Sequence, residues 1–166
     1  MSVKVRRILT ADINGRSVIA SDAPAPEVHD LGGGMVVADV WKVHEAPVDL
    51  DKCCDNPESG PLSLVPPQCG NVLRYAVFPP QNEESTSAGD AEKMFDKMSA
   101  GHTSKGREEG AKSALMHRTD TLDYGIVLEG EITLLVDDGE VTLGEGSTMP
   151  IANGLGWASK LRAISV

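Results

Sequence analysis

Apolar and polar residues alternate over short stretches of this chain, and turn residues break the alternation every few positions. VKVRRILTA, residues 3–11, alternates weakly and is rich in β-branched side chains, which suits a strand. INGRSVIASD follows, and its Asn14-Gly15 pair is a hairpin signal, so the two segments predict a first β-hairpin. APAPEVHDLGGG, residues 23–34, predicts a loop, because Pro24 and Pro26 deny helix and three consecutive glycines interrupt any period. MVVADVWKV, Met35 to Val43, predicts the next strand, with Trp41 near its end. Residues 44–70 form a long, polar, proline-rich excursion over the surface. NVLRYAVFPP, Asn71 to Pro80, predicts a strand stopped by Pro79-Pro80, since proline cannot donate to a ladder.

The pattern changes over residues 81–112, which are polar and charged. A helix can start at Asp90 and place Met94, Phe95 and Met98 on one side, three and four residues apart. The expectation is a short helix in a variable, inserted surface loop; a lid over a site below is the sharper alternative. Strand patterning returns in DYGIVLEGEITLLVDDGEVTLGEGSTM, Asp123 to Met149. Here Glu129-Gly130-Glu131, Asp137-Asp138-Gly139 and Gly144-Glu145-Gly146 supply the turns. Turns about eight residues apart predict a sandwich or small barrel.

Composition supports the strand reading. Seventeen glycines and ten prolines suit many short strands joined by turns better than a helical bundle. A length of 166 residues suits one domain, here 1–80 as N-terminal strands and loop, 81–112 as the insertion, and 113–166 as the motif region. The formal net charge of −10 argues against nucleic acid or an anionic membrane as partner, because both require clustered Lys and Arg. No stretch approaches the roughly 20 apolar residues that span a bilayer, and the N-terminus lacks the apolar core of a secretory signal. Cys53, Cys54 and Cys69 are odd in number and two are adjacent, a poor disulfide framework. A reduced, cytoplasmic protein is the simplest expectation. The Cys53-Cys54 pair lacks the spacing and neighbouring histidines of a zinc site.

The candidate chemistry lies where strand patterning resumes. If residues 117–119 are extended, His117 and Thr119 point to one face, and a short turn brings Asp123 beside them. A neutral imidazole with a carboxylate can do general acid–base work. The same two are part of the His/His/carboxylate set that binds Fe(II) and other divalent metals. The plain alternative is a hydrogen-bonded structural pair. Gly125 and Val127 share the parity of Asp123 and would line an apolar interior, whereas Tyr124 faces the other way. Arg74 and Tyr75 sit mid-strand, so one of them points inward. An inward Arg74 would need a partner such as a substrate carboxylate or phenolate; a surface Arg74 is the commoner case. Trp41 and Trp157 could stack on an aromatic substrate, although tryptophan in a small barrel usually serves the core.

The spacing His117-x-Thr119-x-x-x-Asp123, six residues, then Gly130 resembles the first cupin motif, G-x5-H-x-H-x3,4-E-x6-G. Thr119 stands at the second histidine and Asp123 at the glutamate. HRTDTLDYGIVLEGEITLLVDDGEVTL is similar to small single-domain cupins of bacteria and fungi, and so are VRRILTADINGRSVIASDAPAP and VLRYAVFPP. The resemblance covers residues 3–150 apart from the variable insertion. It implies an all-β cupin jelly-roll (double-stranded β-helix) barrel with a short helical insertion, and a homodimer formed through sheet edges or N-terminal strands. Fungal members from polyketide gene clusters are described as cupin-domain oxidoreductases. The resemblance therefore implies an enzyme on a small polyketide-derived aromatic or cyclic intermediate, acting by redox chemistry, dehydration, isomerisation or decarboxylation. His117 would be metal ligand or general base and Asp123 its partner ligand or orienter. Arg74, Thr119, Gly125, Val127 and Trp157 would belong to the pocket, and the cofactor would be a divalent metal such as Fe, Mn, Zn or Ni.

The second motif departs from the pattern. The subgroup reads roughly G-D-x-x-x-Q-R-G-T-x-H-A-W, where this chain has GSTMPIANGLGWAS, Gly146 to Ser159. Gly156 falls at the histidine position and Trp157 at or beside the tryptophan. The usual third ligand is missing, and only ASKLRAISV follows, where the family has a loop and a full closing strand. A non-catalytic small-molecule-binding cupin with a degenerate metal site is the alternative that this departure supports. A purely structural β-barrel is the third.

Overall fold

The computed structural model describes residues 4–49, 61–80, 87–103, 111–152 and 157–161; of residues 88, 152 and 157–161 it describes the backbone alone. Strand is the dominant secondary structure, so the all-β expectation holds at the level of fold class. The chain divides into two compact units, Met1–Leu62 with Pro66–Phe78, and Ser63–Val65 with Pro79–Val166.

The first unit begins with the expected hairpin. Strands β1 (Arg6–Ile13) and β2 (Arg16–Pro24) pair antiparallel. Asn14 and Gly15 turn the chain with φ of 54° and 75°, the left-handed pair that a two-residue hairpin turn requires. The carboxylate of Asp12 accepts from the Gly15 N–H at 2.8 Å and closes the turn.

The segment expected to be a loop is instead strand β3 (Glu27–Gly32), paired with β4 (Met35–Val43). Its prolines, Pro24 and Pro26, lie at the end of β2 and just before β3, where they cost no β3 ladder bond. Its glycines serve the turn into β4, Gly33 and Gly34 having φ of 61° and 88°. Turn residues at both ends concealed five residues of alternating pattern. Strand β5 (Asn71–Val77) completes the sheet in the order β3-β4-β5, as expected for MVVADVWKV and NVLRYAV. Val37 and Ala38 of β4 are fully buried, and so is Asp39, at 2% exposure.

The second unit holds the helix and five strands. Helix α1 runs Ala88–Lys97. Its N-cap is Ser87, whose hydroxyl accepts from the Asp90 N–H at 3.2 Å while donating to the Asp90 carboxylate at 2.7 Å, a reciprocal cap. Ala91, Met94, Phe95 and Met98 are all buried, the i, i+3, i+4, i+7 stripe of a core-facing helix. This stripe is as buried as the residues of the strand core. After a 3-10 turn at Gly101–Thr103 come β6 (Leu122–Ile126), β7 (Glu131–Val136), β8 (Gly139–Gly144), β9 (Thr148–Ala152) and β10 (Trp157–Leu161). The sheets are β10-β7-β8 and β6-β9, all antiparallel. Ile132, Thr133 and Leu135 of the central strand β7 are buried, which explains why EITLLV does not alternate.

Candidate functional site

His117 sits just before β6, in a segment tied to the 3-10 turn by the Arg118 N–H, which donates to the Thr103 carbonyl at 2.9 Å. Its ring is buried, at 8% exposure, and Phe95 of α1 meets it edge-on with centroids 5.9 Å apart. Met116 beside it is 1% exposed and packs with Leu135, Leu115 and Ala111. The histidine thus meets an apolar ring from the helix and adjoins the apolar cluster along the chain through Met116.

One ring nitrogen is oriented. His117 Nδ1 lies 3.0 Å from the Leu115 carbonyl oxygen, which can only accept. In the neutral ring the proton therefore sits on Nδ1, and Nε2 carries the lone pair. Burial pushes the His117 pKa below its usual 6.5 and outweighs the Leu115 carbonyl and the negative charge of Asp123, both of which favour the cation. At neutral pH the side chain is an uncharged base with a fixed tautomer.

Asp123 is close enough for its charge to act on the imidazole. It lies on the covered face of β6 with Gly125, while Leu122, Tyr124 and Ile126 are exposed. A Cβ added at Gly125 would fall 2.6 Å from Met149 Cε and 2.8 Å from its Cγ, so glycine is needed for Met149 of β9 to cross the strand. Val127 is buried at 8% exposure. Thr119 is half-buried, and its hydroxyl shares a 2.6 Å hydrogen bond with that of Thr121. His117, Thr119, Asp123, Gly125 and Val127 therefore belong to one unit, and the charge of Asp123 favours the protonated form of His117.

The other expected pocket residues are placed differently. Arg74 belongs to the first unit and is not a surface cation. Its side chain is 19% exposed and forks onto Asp39, Nε to Oδ1 at 2.6 Å and Nη2 to Oδ2 at 3.2 Å. Lys42 Nζ reaches Asp39 at 3.0 Å and Glu27 at 3.2 Å, and His29 Nε2 lies 3.7 Å from Glu27. The anionic partner of Arg74 is thus supplied by the protein. Among the residues of this network only Arg74 was singled out from the sequence; Asp39, Glu27 and Lys42 gave no signal beyond being charges inside strand-like segments. Trp41 is half-buried with the Arg7 guanidinium 5.7 Å from its ring centroid. Trp157 pairs in register with Val136 on the edge of β7. Gly156, Cys53 and Cys54 lie outside the described residues, and Cys69 is exposed.

The donor set for a metal is short. The described residues contain no group of three or more His, Cys, Asp or Glu placed to hold one. Catalytic sites usually supply three protein ligands, and His117 with Asp123 supplies two. Among the described residues no helix is long and apolar enough to cross a membrane.

No family model matches the chain. A stretch of 41 residues, 25% of the chain, is 44% identical to phomopsin biosynthesis cluster protein C′ of Diaporthe leptostromiformis. Phomopsin biosynthesis cluster protein D of the same fungus matches to the same extent. The match spans 22% of the length of each relative. Both relatives are named for a phomopsin biosynthesis cluster, and neither name states a reaction.

Proposed function

We propose that this chain is a cupin-type jelly roll that handles a small polyketide-derived aromatic or cyclic intermediate of secondary metabolism, with His117 as general base. The fold reading is supported by nested pairing. Strands β6 and β9 pair outside the β7–β8 hairpin but in a different sheet, so one long hairpin folds over on itself. Jelly rolls are built from such Greek-key units.

The observation that carries the chemistry is the state of His117: buried, neutral, and held with Nδ1 as donor and Nε2 as lone pair. That state suits removal of a proton from an acidic C–H or O–H, with Asp123 stabilising the imidazolium that forms. Isomerisation and dehydration contain such a step; decarboxylation needs the reverse, delivery of a proton to the carbanion left when CO₂ departs, which the protonated imidazole would supply. Redox chemistry would need a redox-active group, and His117 with Asp123 falls one short of the three protein ligands that catalytic metal sites usually supply.

The short donor set also favours a second reading, a cupin that binds the intermediate without transforming it. Thermal shift with aromatic aldehydes and hydroxy acids tests both. A ligand that raises the melting temperature of the wild type, and does so less in His117→Gln, supports a site at His117. Failure of every such compound to shift the wild type overturns both readings. Turnover lost in His117→Gln with ligand binding kept assigns the base role, and turnover equal to wild type removes it. Metal analysis of protein purified without a histidine tag decides the cofactor: iron, manganese, zinc or nickel above trace overturns the metal-free route.

A further inference from the structure

The group that orients His117 is a backbone carbonyl. Its Nδ1 lies 3.0 Å from the Leu115 oxygen, so the nitrogen that an orienting carboxylate would take is already engaged. Asp123 acts on the ring through its charge, and it makes no hydrogen bond or ion pair with any described residue. The hydroxyls that precede it, those of Thr119 and Thr121, bond to each other at 2.6 Å. A carboxylate covered this far normally collects donors. Half-buried Asp123 has collected none from the described residues.

Its neighbours on the covered face of β6 are apolar. Ile151 of β9 pairs directly with Asp123, and Met149 pairs with Gly125, two residues along. Direct cross-strand partners share a face. The Met149 chain lies flat along Gly125: a Cβ there would meet Cε at 2.6 Å, Cγ at 2.8 Å and Sδ at 3.4 Å. A thioether laid open in this way makes favourable contacts with aromatic rings. We propose that Asp123 is a substrate-binding residue whose carboxylate accepts a hydrogen bond from a hydroxyl carried on an aromatic ring, and that the ring packs against Met149 and Ile151. This rests on the reading of His117 as a general base and names the substrate class for that site, a hydroxylated aromatic.

Two arguments select a hydroxyl over a cation. An ammonium would also satisfy the carboxylate, but it would lose its water against Ile151 and Met149. A phenol brings one donor on an apolar body. The second argument is charge. A phenol leaves the negative charge of Asp123 in place to favour the imidazolium of His117, whereas a bound ammonium would cancel it.

Calorimetric titration of the full chain tests this with meta- and para-hydroxyacetophenone, acetophenone and benzylamine. One hydroxyl isomer should bind roughly 10-fold or more tightly than acetophenone, the range for one hydrogen bond to a charged group. In Asp123→Leu the two should bind alike. A structural Asp123 would weaken both ketones together and keep their ratio. A second readout needs no change at Asp123: the Met149 methyl resonance, identified by its loss in Met149→Leu, should move when the preferred isomer binds the wild type. Equal binding of ketone and phenol by the wild type, a preference kept in Asp123→Leu, tighter binding of benzylamine, or an unmoved Met149 methyl each overturns the inference and leaves His117 as general base. Failure of all four probes to bind also overturns it, and takes the His117 reading with it only when the aldehydes and hydroxy acids of the thermal-shift test fail too.

Discussion

Changing Asp39 to asparagine removes one charge from the middle of a buried network. Asp39 is 2% exposed and holds Arg74 through two contacts and Lys42 through a third. The asparagine keeps the shape and loses the anion. Lys42 retains Glu27 at 3.2 Å, so Arg74, which loses the anion under both arms of its fork, is the group chiefly affected. Removing one partner of a buried pair costs about 3–5 kcal/mol. Because Arg74 and Lys42 keep 19% and 11% side-chain exposure, water screens part of the loss, and the low end, about 3 kcal/mol, applies. Urea unfolding followed by Trp41 fluorescence in a Trp157→Phe background measures it. With a urea slope near 2 kcal/mol per molar, the midpoint should fall by about 1.5 M. Asp39 and Arg74 face each other across β4 and β5. Replacing both by leucine should therefore recover to within about 1 kcal/mol of wild type, since apolar substitutes often match a buried ion pair. Burial alone would raise the Asp39 carboxyl, but its contacts with Arg74 and then Lys42 outweigh that and hold its pKa below 3.8. A depressed carboxyl gives stability that is complete above 3.8 and lost as pH falls through the folded value. The wild type should thus lose stability below about pH 4, and the leucine pair should lose less. A cost under about 1 kcal/mol for Asp39→Asn would refute the reasoning, as would a double variant that loses as much as the sum of the singles.

The ring resonances of His117 should titrate with a midpoint below 6.5 by NMR, because burial disfavours the cation. The unfolded chain then takes the proton first as pH falls, so the contribution of the neutral ring is complete above 6.5 and fades as pH drops through the folded value; a midpoint above 6.5 would contradict a buried base. Phe95→Leu should cost about 1–2 kcal/mol in chemical denaturation and move the His117 midpoint up toward 6.5 as water reaches the ring; an unmoved midpoint would mean that Phe95 does not desolvate it. Ser87→Ala should lower stability by about 1 kcal/mol through loss of the cap on α1, whereas Ser87→Asp should retain most of it; equal effects of the two would deny the cap.

Much of the strand order was legible because turn chemistry is local. Asn14-Gly15 and Gly139 each sit at a reversal with positive φ, and a left-handed requirement shows directly in residue type. The apolar stripe Met94, Phe95, Met98 was legible as one side of a helix, but only the structure shows that it is buried and that Phe95 meets the His117 ring. Parity along β6 was legible, since alternation put Asp123 and Gly125 on one face and Tyr124 on the other, as they lie. The Leu115 carbonyl that sets the tautomer was not, because every residue has one.

The network around Asp39 was hidden for a sharper reason. Strict alternation along MVVADVWKV puts Asp39 and Lys42 on opposite faces, and a reader applying it would send one of them to solvent. The register shows what alternation misses: Asp39 faces Arg74, Trp41 faces Leu73, and Val40 has no partner in β5. One bulged residue resets the parity, so Lys42, opposite Val72, returns to the face of Asp39. Arg74 and Val72 share that face by ordinary alternation, and Glu27 joins it because it pairs directly with Asp39. A bulge is a property of two strands, and no single-strand pattern encodes it. Deleting Val40 should therefore do more than shorten β4: it would send Lys42 to the other face, leave Glu27 without its ammonium and strand a lysine elsewhere. Val40→Ala, which keeps the count, should cost no more than an ordinary half-buried truncation, about 1–2 kcal/mol.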